Sequence, residues 1–331
     1  MHRIIQHKRI LDLLHWKLMP AITGSACAKS ILFGEHAVVY GFPAIAVPIP
    51  DLKVRISITP DIKGVPNQVR VISKSIALDS NLDDMEKDSP IRYGIELTCD
   101  QAGAKHLPAC TIRINSDFPA AGGLGSSASC AVALIRAVSN FLGLVFSNKV
   151  VNELAFQIEK IHHSNPSGVD NTVITYEKPV FFIKNKPLKF IKISKPLHLI
   201  FAFSGINGLT REAVELVREN YLKDQASYNQ SFKEIGAITR LACENLSSGE
   251  IQLIGQLMSK NHELLKRIHV SIPSLDNLVT AALHAGALGA KLCGGGLGGN
   301  IVALVEEQSN ENVRQALKSA GAFWTHSTII Q

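Results

Sequence analysis

Polar and apolar positions alternate over 51–60, with Leu52, Val54, Ile56 and Ile58 on one side, so the spacing predicts a strand with one buried face. Residues 68–77 repeat this more weakly, and 110–115 form a short strand. Beyond Ser127 the period changes. Ala131, Leu134, Ile135, Val138 and Leu142 recur at steps of three and four, the stripe of an amphipathic helix. Residues 148–163 form a second helix with Val150, Val151, Leu154, Ala155, Ile158 and Ile161 apolar, and the turn-rich 164–168 ends it. Short apolar runs around Phe181, Phe190 and 199–203 predict three strands. Helical stretches follow over 209–246, 249–268 and 274–286. A strand over 301–305, a helix near 311–320 and a strand over 323–330 complete the pattern. Strands followed by helices in both parts make an α+β protein.

Length turns this into two domains, since 331 residues exceed the roughly 100–200 of one domain. The expected division is an N-terminal domain over 19–190 and a C-terminal domain over 191–331, preceded by an extension, 1–18, without structure of its own. That extension carries Arg3, Lys8, Arg9 and Lys17 among scattered apolar residues and lacks the apolar core of a secretory signal. A basic surface helix is the alternative there. With 46% apolar and 19% charged residues, wholesale disorder is excluded. No apolar run reaches the length of a membrane span, so a cytoplasmic protein is expected. The net charge of +6 is spread along the chain; it suits an anionic small molecule and is too weak for nucleic acid. The six cysteines form no C-x-x-C pair and no zinc spacing, and are expected as free thiols.

The candidate chemistry begins at Gly122-Gly123-Leu124-Gly125-Ser126-Ser127, between a strand and a helix. Glycines allow positive φ and close approach, and N–H groups at the helix start face an anion, as a phosphate cradle needs. A glycine turn in which Ser126 merely caps the helix is the alternative. Ser127, just inside the helix, can ligate Mg2+ beside phosphates, which then calls for a carboxylate. Glu159, near a helix end, and Asp170, beyond the intervening turn, are the candidates: one to hold metal, the other to orient or deprotonate a hydroxyl; on spacing alone, a solvated glutamate on a helix face and an aspartate capping the following turn is the stronger reading. Lys29, among small residues and followed by Ile31-Leu32-Phe33, suits phosphate; a surface lysine at a strand end is the bland reading. Glu35 and His36 are candidate ligand contacts. Finally, 291–300 places five glycines in six positions before a strand.

In this order the blocks resemble the GHMP small-molecule kinase family: 25–41 with Lys29, Glu35 and His36, 119–129 with the glycine loop, the helix-end Glu159 followed by 165–171 with Asp170, and 291–305. The resemblance covers the chain from about Ala21 to near its end. It implies an N-terminal ribosomal-protein-S5-like domain and a C-terminal ferredoxin-like domain, with ATP and acceptor meeting between them. Residues Ala121 to Ser127 would wrap the triphosphate, with Ser116 near the nucleotide. Ser127 and Glu159 would hold Mg2+. Asp170 would act on the attacking hydroxyl and Lys29 would stabilise charge between it and the γ-phosphate; His36 and Glu35 would face the acceptor. Within the family the 159–171 block points to mevalonate as acceptor, for isoprenoid precursor synthesis, in a monomer or a homodimer. Phosphomevalonate or a sugar as acceptor, and a non-catalytic ATP sensor, are the alternatives. This chain departs from the family at Cys27-Ala28, where a proline is usual, at Cys293, where threonine is usual, and at Leu297 and Phe42.

Overall fold

The computed structural model describes residues 21–331 apart from 66, 121, 163–165 and 209. The extension 1–18, Ala121 of the glycine block and Asn165 therefore lie outside the described residues.

The first sheet is built around one long strand. β1 (Ile22–Phe33) runs antiparallel to β2 (Ala44–Pro60) along its whole length. β2 also carries the strand predicted over 51–60. It begins seven residues earlier than its alternation indicates, because its first half is buried on both faces and shows no period. Pro48 and Pro50 also argue against a strand there. They are accommodated beside a register shift, where Cys27 pairs Lys53 but Ala28 pairs Ile49. β3 (Val69–Ser73), β4 (Leu78–Asn81) and β5 (Cys110–Ser116) extend the sheet on one side. β6 (Val180–Phe182) and β7 (Lys189–Phe190) extend it on the other, in the order β4-β3-β5-β2-β6-β7.

Among the described residues, four helices accompany this sheet: α1 (Pro90–Ala102), α2 (Ser126–Phe141), α3 (Asn148–His162) and α4 (Val169–Tyr176). The periodicity predicts α2 and α3. α1 and α4 are not predicted; in α1 the residues Ile91, Tyr93, Ile95, Leu97 and Cys99 alternate as in a strand, and α4 is only eight residues long. α2 lies directly on β1. Its alanines 128, 131, 133 and 137 are buried, and at Gly24 of β1 an added Cβ would come within 2.3 Å of the Ala137 nitrogen.

The chain leaves the first sheet at Phe190 and enters the second at Leu197. β8 (Leu197–Phe203), β9 (Gly289–Cys293), β10 (Asn300–Val305) and β11 (Trp324–Ile330) form an antiparallel sheet ordered β11-β8-β10-β9. α5 (Thr210–Lys223), α6 (Gln225–Ser248), α7 (Ile251–Arg267), α8 (Pro273–His284) and α9 (Asn310–Ser319) complete this half. The helical stretch predicted over 209–246 is two helices. Asp224 divides them, its carboxylate accepting from the Ser227 N–H at 3.0 Å as the cap of α6. Two sheets, each with its own helices, make the α+β architecture that the sequence pattern predicts.

Candidate active site

Lys29 sits mid-way along β1, only 2% exposed and so far from a surface lysine. Its ammonium meets Asp170 Oδ2 at 2.9 Å. Burial works against the charge, but the Asp170 carboxylate overrides it and lifts the lysine above its ordinary pKa, so the group stays cationic. Asp170 is in the first turn of α4, where the helix dipole favours a carboxylate, behind Gly168 at φ 87°. Asn171 donates to Asn152 Oδ1 at 2.7 Å and thereby ties α4 to α3. Asp170 itself is partly open, its side chain 30% exposed.

The glycine loop lies alongside. Gly123 and Gly125 have φ of 83° and 76°, and the Leu124 carbonyl accepts from the Lys29 N–H at 3.0 Å. At Gly125 an added Cβ would come within 2.8 Å of the Lys29 stem, so glycine is needed there for both φ and space. Gly125 is also the N-cap of α2, and no side chain caps that end. Ser126 is thus not a cap, and the first turn of α2 presents uncapped N–H groups.

Ser127, in that first turn, donates to Glu159 Oε1 at 2.7 Å. Glu159 comes from the far end of α3 and is 4% exposed. Burial pushes its carboxyl up to about 7; the Ser127 hydrogen bond opposes this, Asp170 adds to it and Lys29 counters it. Ser116, closing β5, donates to the Phe118 carbonyl at 2.7 Å and shapes the approach to the loop.

His36 has φ of 60° and ψ of −49°, the centre of a tight turn closed by the Ala37 N–H on the Glu35 carbonyl at 2.6 Å, an unusual conformation for a residue with a Cβ. Its Nε2 lies 2.8 Å from the Gly295 carbonyl, which only accepts, so Nε2 carries the proton and Nδ1 is left as an acceptor. Burial pushes its pKa down to about 4, and the ring is neutral. Glu35 is placed differently: its carboxylate forms a buried ion pair with Lys291 and accepts from Asn261 at 3.3 Å. Lys291 is fully buried and also donates to the Leu292 carbonyl.

The structure thus gathers Lys29, Asp170, Ser127, Glu159 and the loop 122–125 into one locus, with His36 on the C-terminal glycine turn and Glu35 in the contact between the halves. Sequence reasoning overlooked Lys291 and Asn261 as partners of Glu35. The one available signal was a lone charge inside the apolar run 287–293.

Sequence profiles agree with this layout. The GHMP kinases N terminal domain matches residues 91–178, and the GHMP kinases C terminal domain matches 242–322. The chain is 36% identical over 323 residues to a mevalonate kinase of Thermococcus onnurineus (strain NA1), covering 91% of this chain and 93% of that one. Its fold superposes on the crystal structure of L. major mevalonate kinase in complex with R-mevalonate with a TM-score of 0.79 and 30% identity, over 95% and 96% of the two chains. The Methanococcus jannaschii mevalonate kinase gives a TM-score of 0.82 at 28% identity, over 95% and 100%.

Proposed function

Because this chain belongs to the GHMP kinase family, we propose that it transfers the γ-phosphoryl group of ATP to the primary hydroxyl of mevalonate, giving 5-phosphomevalonate. The observation that carries the reading is the Lys29–Asp170 pair set directly behind an uncapped glycine loop.

Phosphoryl transfer asks the protein chiefly for positioning and charge neutralisation. Asp170 Oδ2 is engaged by Lys29, which leaves Oδ1 to accept the hydrogen of the acceptor hydroxyl. That oxygen attacks the γ-phosphorus, the bond from phosphorus to the ADP oxygen breaks, and the hydroxyl proton passes to Asp170. The Lys29 ammonium, kept cationic by the Asp170 carboxylate in spite of burial, offsets charge on the transferring group. The N–H groups of the loop and of the first turn of α2 hold the phosphates. His36 offers Nδ1 to the acceptor, while Glu35, through Lys291, supports the turn on which His36 sits. Ser116 and Ala121 belong with the nucleotide.

A hydroxyl and a carboxylate, hard oxygens already 2.7 Å apart at an anion-binding helix end, fit Mg2+ shared with phosphates and water. Ser127 and Glu159 would hold it, and when bound it would neutralise phosphate charge. We also place the domain boundary near 190/191, where the chain passes between the sheets. No described helix is long and apolar enough to cross a membrane. All six cysteines are free thiols, which supports a cytoplasmic setting.

The test is ADP release with MgATP and a panel of mevalonate, phosphomevalonate, galactose and homoserine. Turnover confined to mevalonate is expected. Turnover confined to another member would overturn the acceptor and leave the kinase chemistry standing.

A further inference from the structure

The N-terminal glycine loop does not hold its shape alone. The first residue pair of the β9–β10 hairpin, Cys293 opposite Asn300, faces it from the other half of the chain. The Asn300 side-chain amide donates to the Gly122 carbonyl at 2.6 Å, and the Asn300 backbone N–H donates to the same oxygen at 3.1 Å. Cys293 Sγ approaches the Gly123 carbonyl at 3.8 Å and lies 3.3 Å from Ser30 Oγ. Burial pushes the thiol pKa up, so the proton it shares with that carbonyl stays on sulfur. The contact is tight: an added Cβ at Gly123 would come within 2.5 Å of the Cys293 carbonyl, and one at Gly122 within 2.5 Å of the Asn300 amide nitrogen.

The consequence follows from peptide geometry. In a trans peptide the C=O and N–H point in opposite directions. Fixing the Gly122 carbonyl on Asn300 therefore turns the Gly123 N–H away from the hairpin. Fixing the Gly123 carbonyl on Cys293 does the same for the Leu124 N–H, and the Lys29 N–H on the Leu124 carbonyl does so for Gly125. Three successive N–H groups are thus oriented by donors outside the loop. None of the three finds an acceptor among the described residues.

Asn300 bears a cost for this. Its Oδ1 is fully buried and finds no partner among the described residues, and the amide cannot be reversed because a carbonyl oxygen only accepts.

We propose that Asn300 and Cys293 are positioning residues for the nucleotide: from the C-terminal half, they aim the backbone N–H groups of Gly123 and Leu124 at the triphosphate. The inference rests on the reading of the loop as the phosphate cradle, but not on the identity of the acceptor.

Calorimetric titration of the full chain with Mg2+ and a non-hydrolysable ATP analogue tests it without any acceptor. Asn300→Ala is expected to weaken analogue binding about tenfold, the loss of one well-placed hydrogen bond. The melting temperature should stay close to that of the wild type, because a hydrogen bond and an orphaned acceptor leave together. Cys293→Ala should weaken binding less, and Cys293→Ser, which keeps a donor, should restore it. In turnover, KM for ATP should rise in Asn300→Ala while KM for the acceptor holds. Analogue affinity within twofold of wild type in both alanine variants would overturn the proposal. So would a loss of affinity that tracks a fall in melting temperature and is not restored by Cys293→Ser. Failure of the mevalonate assignment alone would show separately, as wild-type protein that binds the analogue but does not turn over mevalonate.

Discussion

At the scale of single residues, Lys29 and Asp170 act as one unit, because each fixes the charge and direction of the other. Lys29→Met and Asp170→Asn should each lower kcat by about 10²–10⁴-fold, the range for a positioned acid–base group. KM for ATP should change only a few-fold, since the loop and helix N–H groups are untouched. The double variant should be little worse than either single one, because a paired unit is lost only once. Steady-state kinetics of the three variants would check this, and fully multiplicative losses would mean that the two side chains act independently. The residues of this locus were legible in the sequence only as a set. A lysine among small residues or an aspartate after a turn is ambiguous alone, and only their order along the chain singled them out. Lys291 and Asn300 bound the glycine block 291–300 that the sequence singled out, but their roles were not legible. Each matters through a partner 256 or 178 positions away, and no local pattern encodes such a contact.

At the scale of elements, what the sequence hides is as physical as what it shows. The strand over 51–60 and helix α3 bury one face, so their periods stand out; α2 is buried nearly all round, and its period shows only in the spacing of its larger apolar side chains. β1 does not: its residues from Ala26 to Phe33 are buried on both faces, and the alternation vanishes although the strand carries Lys29. α4, which carries Asp170, is too short to display a helical period. Two substitutions probe how these elements are held. Gly24→Ala sets a methyl against the backbone of α2, where neither partner can yield, and should cost about 1–3 kcal/mol as an overpacked contact. Chemical denaturation would measure it, and an unchanged midpoint would show that α2 can shift away. Asn171→Ala removes the hydrogen bond between α4 and α3. It should lower kcat several-fold with a smaller effect on KM for ATP, since it displaces Asp170 but not the glycine loop; loss of stability with normal kcat would confine Asn171 to folding.

At the scale of the whole molecule, the two halves meet through buried polar contacts rather than through apolar surface alone. Glu35 pairs with Lys291 and His36 contacts the Gly295 carbonyl; behind them, inside the C-terminal half, His262 of α7 joins β9 to α8. The Leu292 N–H donates to His262 Nδ1 at 3.3 Å, so Nε2 carries the proton and faces Asp276 Oδ1 at 3.2 Å. Burial holds both histidines down to about 4 from an ordinary 6.5; the Gly295 carbonyl at His36 and Asp276 at His262 only partly oppose it. A histidine with a lowered folded pKa contributes its full stability above the unfolded value. The contribution drains away as pH falls, because the unfolded chain takes up the proton first and the folded one does not until about 4. Each ring should therefore withdraw about 3 kcal/mol between pH 6.5 and 4, His36 at the contact between the halves and His262 inside the C-terminal half. Glu159 acts in the opposite sense: its folded carboxyl, raised to about 7, takes up a proton before the unfolded chain does and returns about 3 kcal/mol over the same window. The urea midpoint should therefore fall by about one ring's worth. His262→Gln keeps a polar side chain that cannot be protonated, so its midpoint should stay nearly level. A wild-type midpoint that stays flat from pH 7 to 4.5, or an equally steep fall in the glutamine variant, would show that these buried rings do not set the acid limit of the fold.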